Sequence, residues 1–273
     1  LGPRLNAAGR LGDASVGVEL LTTGDVSKAA LIAKQLDREN KKRRDLETGV
    51  LADATRIIED SVDLSSSRSI VLWSSGWHPG VIGIVASRIA KQYNRPTILL
   101  AVSDGVGKGS GRSVNTFDLF KAITACSDLL HAFGGHAMAA GIQIQKKNID
   151  LFKERLLQAS LDLSGPMDFI PEITIDHVLE LENVTPRLLD EIEWLEPFGT
   201  QNPEPRFMAH EVRVVSSAMV GGSHRRMTLA SASGDSRQRY AAIQFNADAA
   251  AASNFFSKMA YKIRWNRWNG NRI

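Results

Sequence analysis

The apolar positions of this chain change their period from segment to segment, and the changes mark its organisation. Between Asp25 and about residue 60, Ala29, Ile32, Ala33 and Leu36, then Leu46, Val50, Leu51, Ala54 and Ile57, recur three and four residues apart, as on one face of a helix. Asp25 supplies its cap. The middle of that helix, Asp37 to Glu47, is almost wholly charged, so the pattern predicts an interdomain strut that crosses solvent between two bodies. A turn at Gly12-Asp13 and a short helix around 16–21 precede it.

Residues 68–160 alternate strand and helix. The pattern predicts an apolar strand over 69–74, a helix apolar nearly all round over 81–93, and a strand over 96–102. Asp104-Gly105 is a hairpin turn, 106–113 a glycine-rich return strand, and 116–133 a helix capped by Gly134. A strand over 137–144 and an amphipathic helix over 149–161 close an α/β domain with a mixed sheet. Next come a strand over 172–178 and a helix over 185–195, with Thr185 as cap and Pro186 at its first position. From Arg206 the texture turns to strands, at 207–216, 226–232 and 239–245. A short Ala-rich helix over 247–256 and a strand over 260–268 follow, an order compatible with a small barrel of the OB type. The expected division is 1–63, 64–160, an acidic connector 161–205, and 206–273. The chain opens inside a motif and stops just after Asn269-Gly270, which predicts a piece of something longer.

Composition is that of an ordinary globular protein, 43% hydrophobic and 23% charged over 273 residues. No apolar run approaches the roughly 18 residues that cross a bilayer, no leader pattern opens the chain, and a cytoplasmic location is expected. The single Cys126 excludes an internal disulfide and reads as a buried thiol. Net charge is only +3, but it is partitioned: −1 over 1–63, +6 over 64–160, −10 over 161–205 and +8 over 206–273. Two basic blocks flank an acidic one. Such surfaces attract polyanions by counterion release, with nucleic acid the default partner; the alternative is cations kept for solubility.

Candidate chemistry concentrates in glycine-rich stretches. The opening Gly2-Pro3-Arg4-Leu5-Asn6-Ala7-Ala8-Gly9-Arg10 sets Arg4, Asn6 and Arg10 among small residues, as a phosphate-gripping loop would. Ser75-Gly76-Trp77-His78-Pro79-Gly80 leads a strand into a helix N-terminus, where backbone N–H groups favour an anion and Ser75 and His78 add donors. Lys108-Gly109-Ser110-Gly111-Arg112-Ser113 interleaves donors with glycines, and Arg112 offers a planar fork for phosphate. Gly134-Gly135-His136 reverses the chain and projects an imidazole able to donate to a phosphate, protonate a leaving oxygen or contact a metal. In the last strand Lys262, Arg264, Asn266 and Trp268 point one way, cations with an aromatic plane that suit a single strand. The remaining histidines share no metal-ligand spacing, so grips for phosphate are expected here without a cage for a catalytic metal.

Taken in order, these motifs resemble the DHH phosphoesterase family, specifically its single-strand exonucleases. The resemblance is carried by 2–10, Leu36-Asp37-Arg38-Glu39-Asn40, 76–86 and Gly111-Arg112-Ser113. It continues through Gly134-Gly135-His136, Leu195-Glu196-Pro197-Phe198-Gly199 with Asn202-Pro203, and Trp268-Asn269-Gly270. It implies a DHH-associated substrate-binding domain and an OB barrel, accompanied in the whole protein by a metal-bearing DHH lobe. It also implies 5′-to-3′ degradation of single-stranded DNA with Mn²⁺ or Mg²⁺, in repair and recombination. Carried over, Arg4, Asn6 and Arg10 lie beside the cleft, Ser110, Arg112 and Ser113 bind phosphate, and His136 faces the scissile phosphate. Metal ligands are expected outside this chain, which alone is expected to be inactive. Two alternatives stay open: a non-catalytic module for single-stranded nucleic acid, and a DHH-type oligoribonuclease or phosphonucleotide phosphatase.

Overall fold

The structure is a computed structural model. It describes residues 1–114, 117–165, 169–232, 238–247, 253–268 and 271–272, with backbone alone for Trp268, Asn271 and Arg272. It divides into two compact units, Leu1–Pro171 and Glu172–Ile273. The first two expected segments thus share one unit, and most of the acidic stretch folds with the basic C-terminal strands.

The first unit opens with α1 (Gly2–Leu11), α2 (Ser15–Thr22) and the long α3 (Val26–Ser61). The expected phosphate loop at 2–10 is therefore a helix. Pro3 sits in its first turn, where the missing N–H costs nothing, and Ala7 and Ala8 are fully buried. Asp25 caps α3 by accepting from the Ser27 and Lys28 N–H groups. Ile32 and Leu36 pack with Ala8, while Val50, Ala54 and Ile58 join the core of the sheet. The charged middle of α3 is not a bare strut. Glu47 is 3% exposed and ion-paired both to Arg43 and, at 2.5 Å, to Arg88 of α4 (Pro79–Tyr93). A carboxylate held between two guanidiniums tolerates burial that a lone charge does not.

Strands β1 (Ile70–Ser74), β2 (Thr97–Ser103), β3 (Val106–Arg112), β4 (Leu130–His136) and β5 (Ala139–Gln145) form a mixed sheet in the order β1-β2-β3-β5-β4. Only β1 and β2 run parallel, joined through α4 as a parallel pair requires. Helices α3 and α4 cover one face over Leu72 and Leu99. Helices α5 (Leu119–Thr124) and α6 (Ile149–Leu163) belong to the other, over Ile98, Leu100 and Ile144. Cys126 lies in that second core, and burial pushes its thiol up to about 11. The β2–β3 turn uses positive φ at Asp104 and Gly105, 50° and 75°, as a two-residue hairpin demands.

One expected element is replaced. Instead of a helix to residue 133, α5 stops at Thr124, a 3-10 turn covers Ser127–Leu129, and β4 begins at Leu130. Apolar spacing over five residues fits either element. Pairing decides it: Leu130 stands opposite Ile144 and Phe133 opposite Ile142.

In the second unit, β6 (His177–Val178) is all that forms of the strand expected at 172–178. Helix α7 (Pro186–Glu193) starts as expected, with Thr185 accepting from the Leu188 N–H. Strands β7 (Phe207–Val220), β8 (His224–Ser231), β9 (Tyr240–Gln244) and β10 (Phe255–Tyr261) follow in the sheet order β10-β7-β8-β9, with β6 parallel to β7. Ala209, Val212 and Leu229 centre their core. Of the helix expected at 247–256, residues 248–252 lie outside the described residues, and Phe255 and Phe256 open β10. The last strand expected at 260–268 ends at Tyr261. Residues 262–266 belong to no ladder, and β11 (Arg267–Trp268) pairs with β12 (Asn271–Arg272).

Candidate nucleic-acid interface

The register of β3, β5 and β4 assembles the site. Arg112 stands opposite Ala139, which stands opposite His136. Residues directly opposite across a ladder share a face, so the three form one row. Ser110, Gly141 and Gly134 form the next, and Lys108, Gln143 and Ala132 the one beyond. On β5 the alternate residues Ala140, Ile142 and Ile144 are buried in the core, while Gly141 and Gln143 are exposed. A shallow hollow of about 350 Å³ lies here, lined by Lys108, Gly134, Gly141 and Gln143 among others. A Cβ on Gly134 would meet nothing within 4 Å. The floor is bare backbone with cations at its rim.

Two glycines of α4 bring the donors together. A Cβ on Gly83 would stand 2.9 Å from Ser110 Oγ and 3.1 Å from Arg112 Nη2, and one on Gly80 would stand 2.0 Å from the Arg10 carbonyl oxygen. Without side chains there, α4 lies directly against β3 and against the end of α1. Arg112 donates through Nη1 to the Gly111 carbonyl at 2.7 Å and to Ser110 Oγ at 3.0 Å. Arg10 places Nη1 3.4 Å from the Gly80 carbonyl. Burial, and then the charge of Arg10, push the Arg112 pKa below the usual arginine value, though a guanidinium stays protonated at neutral pH. Among the described residues neither arginine has an ion-pair partner. Two guanidiniums near enough to repel, with no ion-pair partner among the described residues, have the charge and donors that an anion requires.

The other expected residues divide. On α1, Asn6 and Arg10 are four apart and share a stripe, whereas Arg4 faces α3 and pairs with Asp37. The Asn6 and Ser75 side chains are exposed and make no hydrogen bond among the described residues. The helix-start anion site at 75–80 is closed by its own turn. Gly76 N–H donates to Ser74 Oγ, Gly80 N–H to His78 Nδ1, Val81 N–H to the His78 carbonyl, and Pro79 has none. His78 is a cap, its proton on Nε2. Ser113 is structural too, donating to the Phe117 carbonyl at 2.6 Å. Gly134, Gly135 and His136 are not a helix-ending turn; they are the end of strand β4. Gly135 has φ +148°, and a Cβ there would stand 2.3 Å from the Ala139 carbonyl oxygen, so only glycine allows this pairing.

In the second unit the expected cationic stripe is already spoken for. Lys262 and Arg264 both pair with Glu204, and Trp265 donates to Asp190 at 2.9 Å. Arg267 forks onto Glu193 at 2.6 and 2.8 Å. The Glu204 side chain is 5% exposed, and the Arg264 hydrogen bond holds its carboxyl down at about 2. The acidic segment is thus an internal partner of the basic one. Asn266 is exposed, and the Trp268 side chain lies outside the described residues. Exposed cation and aromatic occur instead on β8–β9, where Arg226 stands opposite Ile243 and Phe245, 65% exposed, meets His224 edge-on at 5.2 Å. The sequence signal for this face was the alternation of Ala241, Ile243 and Phe245.

Comparison with known proteins follows this division. The DHHA1 domain model matches residues 66–160, and the RecJ OB domain model matches 175–273. The chain is 34% identical over 285 residues to the single-stranded-DNA-specific exonuclease RecJ of Escherichia coli, covering all of this chain and 48% of that protein. The chain belongs to the RecJ family. Crystal structures of Thermus thermophilus RecJ with Mn²⁺ and with Mg²⁺ match at TM-scores of 0.80 and 0.79 and 30% identity. Each match covers 99% of this chain, and 38% and 41% of those chains respectively. The chain therefore spans about half or less of the RecJ proteins it matches.

Those RecJ crystals hold a divalent ion. The residues described here do not fit one: among them no three His, Cys, Asp or Glu gather as a cage, and His136 has no acidic neighbour in its row. No helix among the described residues is long and apolar enough to cross a membrane.

Proposed function

We propose that this chain is the strand-holding part of a 5′-to-3′ single-stranded DNA exonuclease that hydrolyses phosphodiesters. The observation that carries the reading is the unneutralised pair Arg10 and Arg112, set beside a bare glycine floor with His136 in the same row. Arg112 and Ser110 grip phosphate oxygens, and the flat floor admits a sugar or base against backbone. His136 donates a hydrogen bond to the phosphate nearest it. Positioning and charge stabilisation of this kind supply much of phosphoryl-transfer catalysis. The divalent metal belongs to residues outside this chain. Arg4, His78 and Ser113 serve the architecture, Ser75 stays exposed without a structural partner among the described residues, and Asn6 borders the site beside Arg10.

In the OB unit the strand contacts the β8–β9 face through Arg226, Ile243 and Phe245, an outer sheet face of the kind that OB folds use. A cytoplasmic role in repair and recombination accords with one buried thiol and basic surfaces. The test is fluorescence anisotropy with a labelled single-stranded oligonucleotide across a salt series. Salt-sensitive binding without cleavage by the chain alone supports the reading. Salt-independent binding, or cleavage by the pure chain, overturns it.

A further inference from the structure

The geometry points to a second binding site in the first unit, for a nucleotide unit: a base bearing an exocyclic amine, with its phosphate. It lies at the β2–β3 turn, about 20 Å along β3 from Arg112, and does not depend on the proposed function. A hollow of about 510 Å³ there is lined by Trp73, Gly105, Gln145, Lys146, Lys147 and Asp150.

Trp73 is out of keeping with its position. It stands opposite fully buried Leu100, on the face that carries Val71 into the core, yet it is 37% exposed. An indole turned to water forgoes the transfer energy that burial would recover. Lys146 Nζ is 4.9 Å from its ring centroid, a cation–π contact. Lys146, Lys147 and Asp150 all border the hollow, and among the described residues none has an ion-pair partner. Two lysines and an aspartate thus border an exposed indole, and among the described residues none of the three is neutralised by an ion pair.

The chemistry selects the ligand. The indole offers a stacking plane, the ammonium groups suit a phosphate, and Asp150 accepts from an amine on the base edge. A polyacidic peptide brings carboxylates that Asp150 repels; an adenine or cytosine nucleotide offers an amine to Asp150 and a phosphate to the lysines. The nucleotide comes either free in solution or as part of a strand.

The test uses the ¹⁵N-labelled chain carrying Arg112→Ala, so that the platform over β3, β5 and β4 is disabled while this hollow is intact. The Trp73 indole N–H resonance, assigned by its loss in Trp73→Phe, is followed during titration with dAMP, dTMP and inorganic phosphate. Saturable shifts with dAMP are expected, about five-fold weaker with dTMP because thymine carries no exocyclic amine for Asp150. Lys146→Gln with Lys147→Gln weakens dAMP binding about ten-fold, and Asp150→Asn narrows the gap between dAMP and dTMP. Tighter binding of an oligo-dA than of dAMP identifies a strand as the source, and equal or weaker binding the free nucleotide. No shift with either, a shift indifferent to the lysine changes, or a response to polyglutamate alone overturns the assignment. Failure of the strand-holding reading leaves this result untouched.

Discussion

Arg112 and His136 share one cross-strand neighbour: both stand opposite Ala139, from the two sides of β5. Their Cα atoms are therefore two strand spacings apart, about 10 Å, on one face with only a methyl between them. In the proposed reading, side chains of that length reach a single phosphodiester from opposite sides. The glycine at 135 is what lets β4 come close enough to complete the row.

Arg112→Ala removes the half-buried member of the guanidinium pair and strands no carboxylate. Affinity for a single-stranded oligonucleotide should fall about ten-fold, and the slope of log K against log salt should lose about 0.7 per phosphate contact removed. Melting temperature should hardly move. An unchanged salt slope would take Arg112 out of the site. His136→Ala, in the longer protein, should lower turnover far more than DNA affinity, and equal activity of variant and parent would remove that residue too.

Gly83 and Gly80 should separate binding from stability. Gly83→Val drives a side chain into Ser110 Oγ and Arg112 Nη2, the movable ends of donors, so binding falls while the fold persists. Gly80→Ala meets the backbone of α1 instead and should cost about 1–3 kcal/mol. Thermal denaturation alongside anisotropy distinguishes them; equal binding by Gly83→Val and the parent chain refutes the arrangement.

At the neighbouring pair the contrast is sharper. Gly135→Ala places a methyl 2.6 Å from the Ala140 Cα in a backbone conformation that L residues avoid, and should destabilise the first unit by about 1–3 kcal/mol. Gly134→Ala enters open space and should leave melting unchanged. Similar melting curves for the two variants would show that the β4 register differs from the one described.

The second unit should be acid-sensitive through Glu204. Its folded-state carboxyl is depressed to about 2 from an ordinary value of 4.5. The stabilisation is therefore fully present above the unfolded value and disappears as pH falls from about 4.5 toward 2. Glu204→Gln should lower stability at pH 7 and flatten that part of the pH profile, measured by urea denaturation. A profile of the same steepness in the variant would mean that other carboxylates carry it.

Lys262→Gln with Arg264→Gln should weaken the fold of the second unit more than its hold on DNA. Arg226→Gln with Phe245→Ala should do the reverse, at up to about 1–3 kcal/mol for a lost stacking contact. Chemical denaturation and anisotropy on both pairs decide between the two surfaces.

Much of the architecture was legible in the chain. Asp25, Thr185 and the Asp104-Gly105 turn act through neighbours a few residues away, so their roles followed from local chemistry. The glycine-rich stretches at 108–113 and 134–136 were likewise visible as candidate grips. The 2–10 stretch misled because Gly, Pro and Ala suit a tight loop and a closely packed helix alike. Residues 129–133 misled because a run of five with four apolar positions satisfies two periods.

What the sequence determined by itself was much of the succession of elements, the family and the residue types able to hold phosphate. Their use was decided by tertiary structure. Pairing with β5 set Arg112 and His136 in one row, Asp37 drew Arg4 away from it, and Glu204 neutralised Lys262 and Arg264. The reason is physical: a side chain's freedom to meet a ligand depends on which charges and strands the fold brings against it, and those partners lie tens of residues away, beyond the reach of any local pattern.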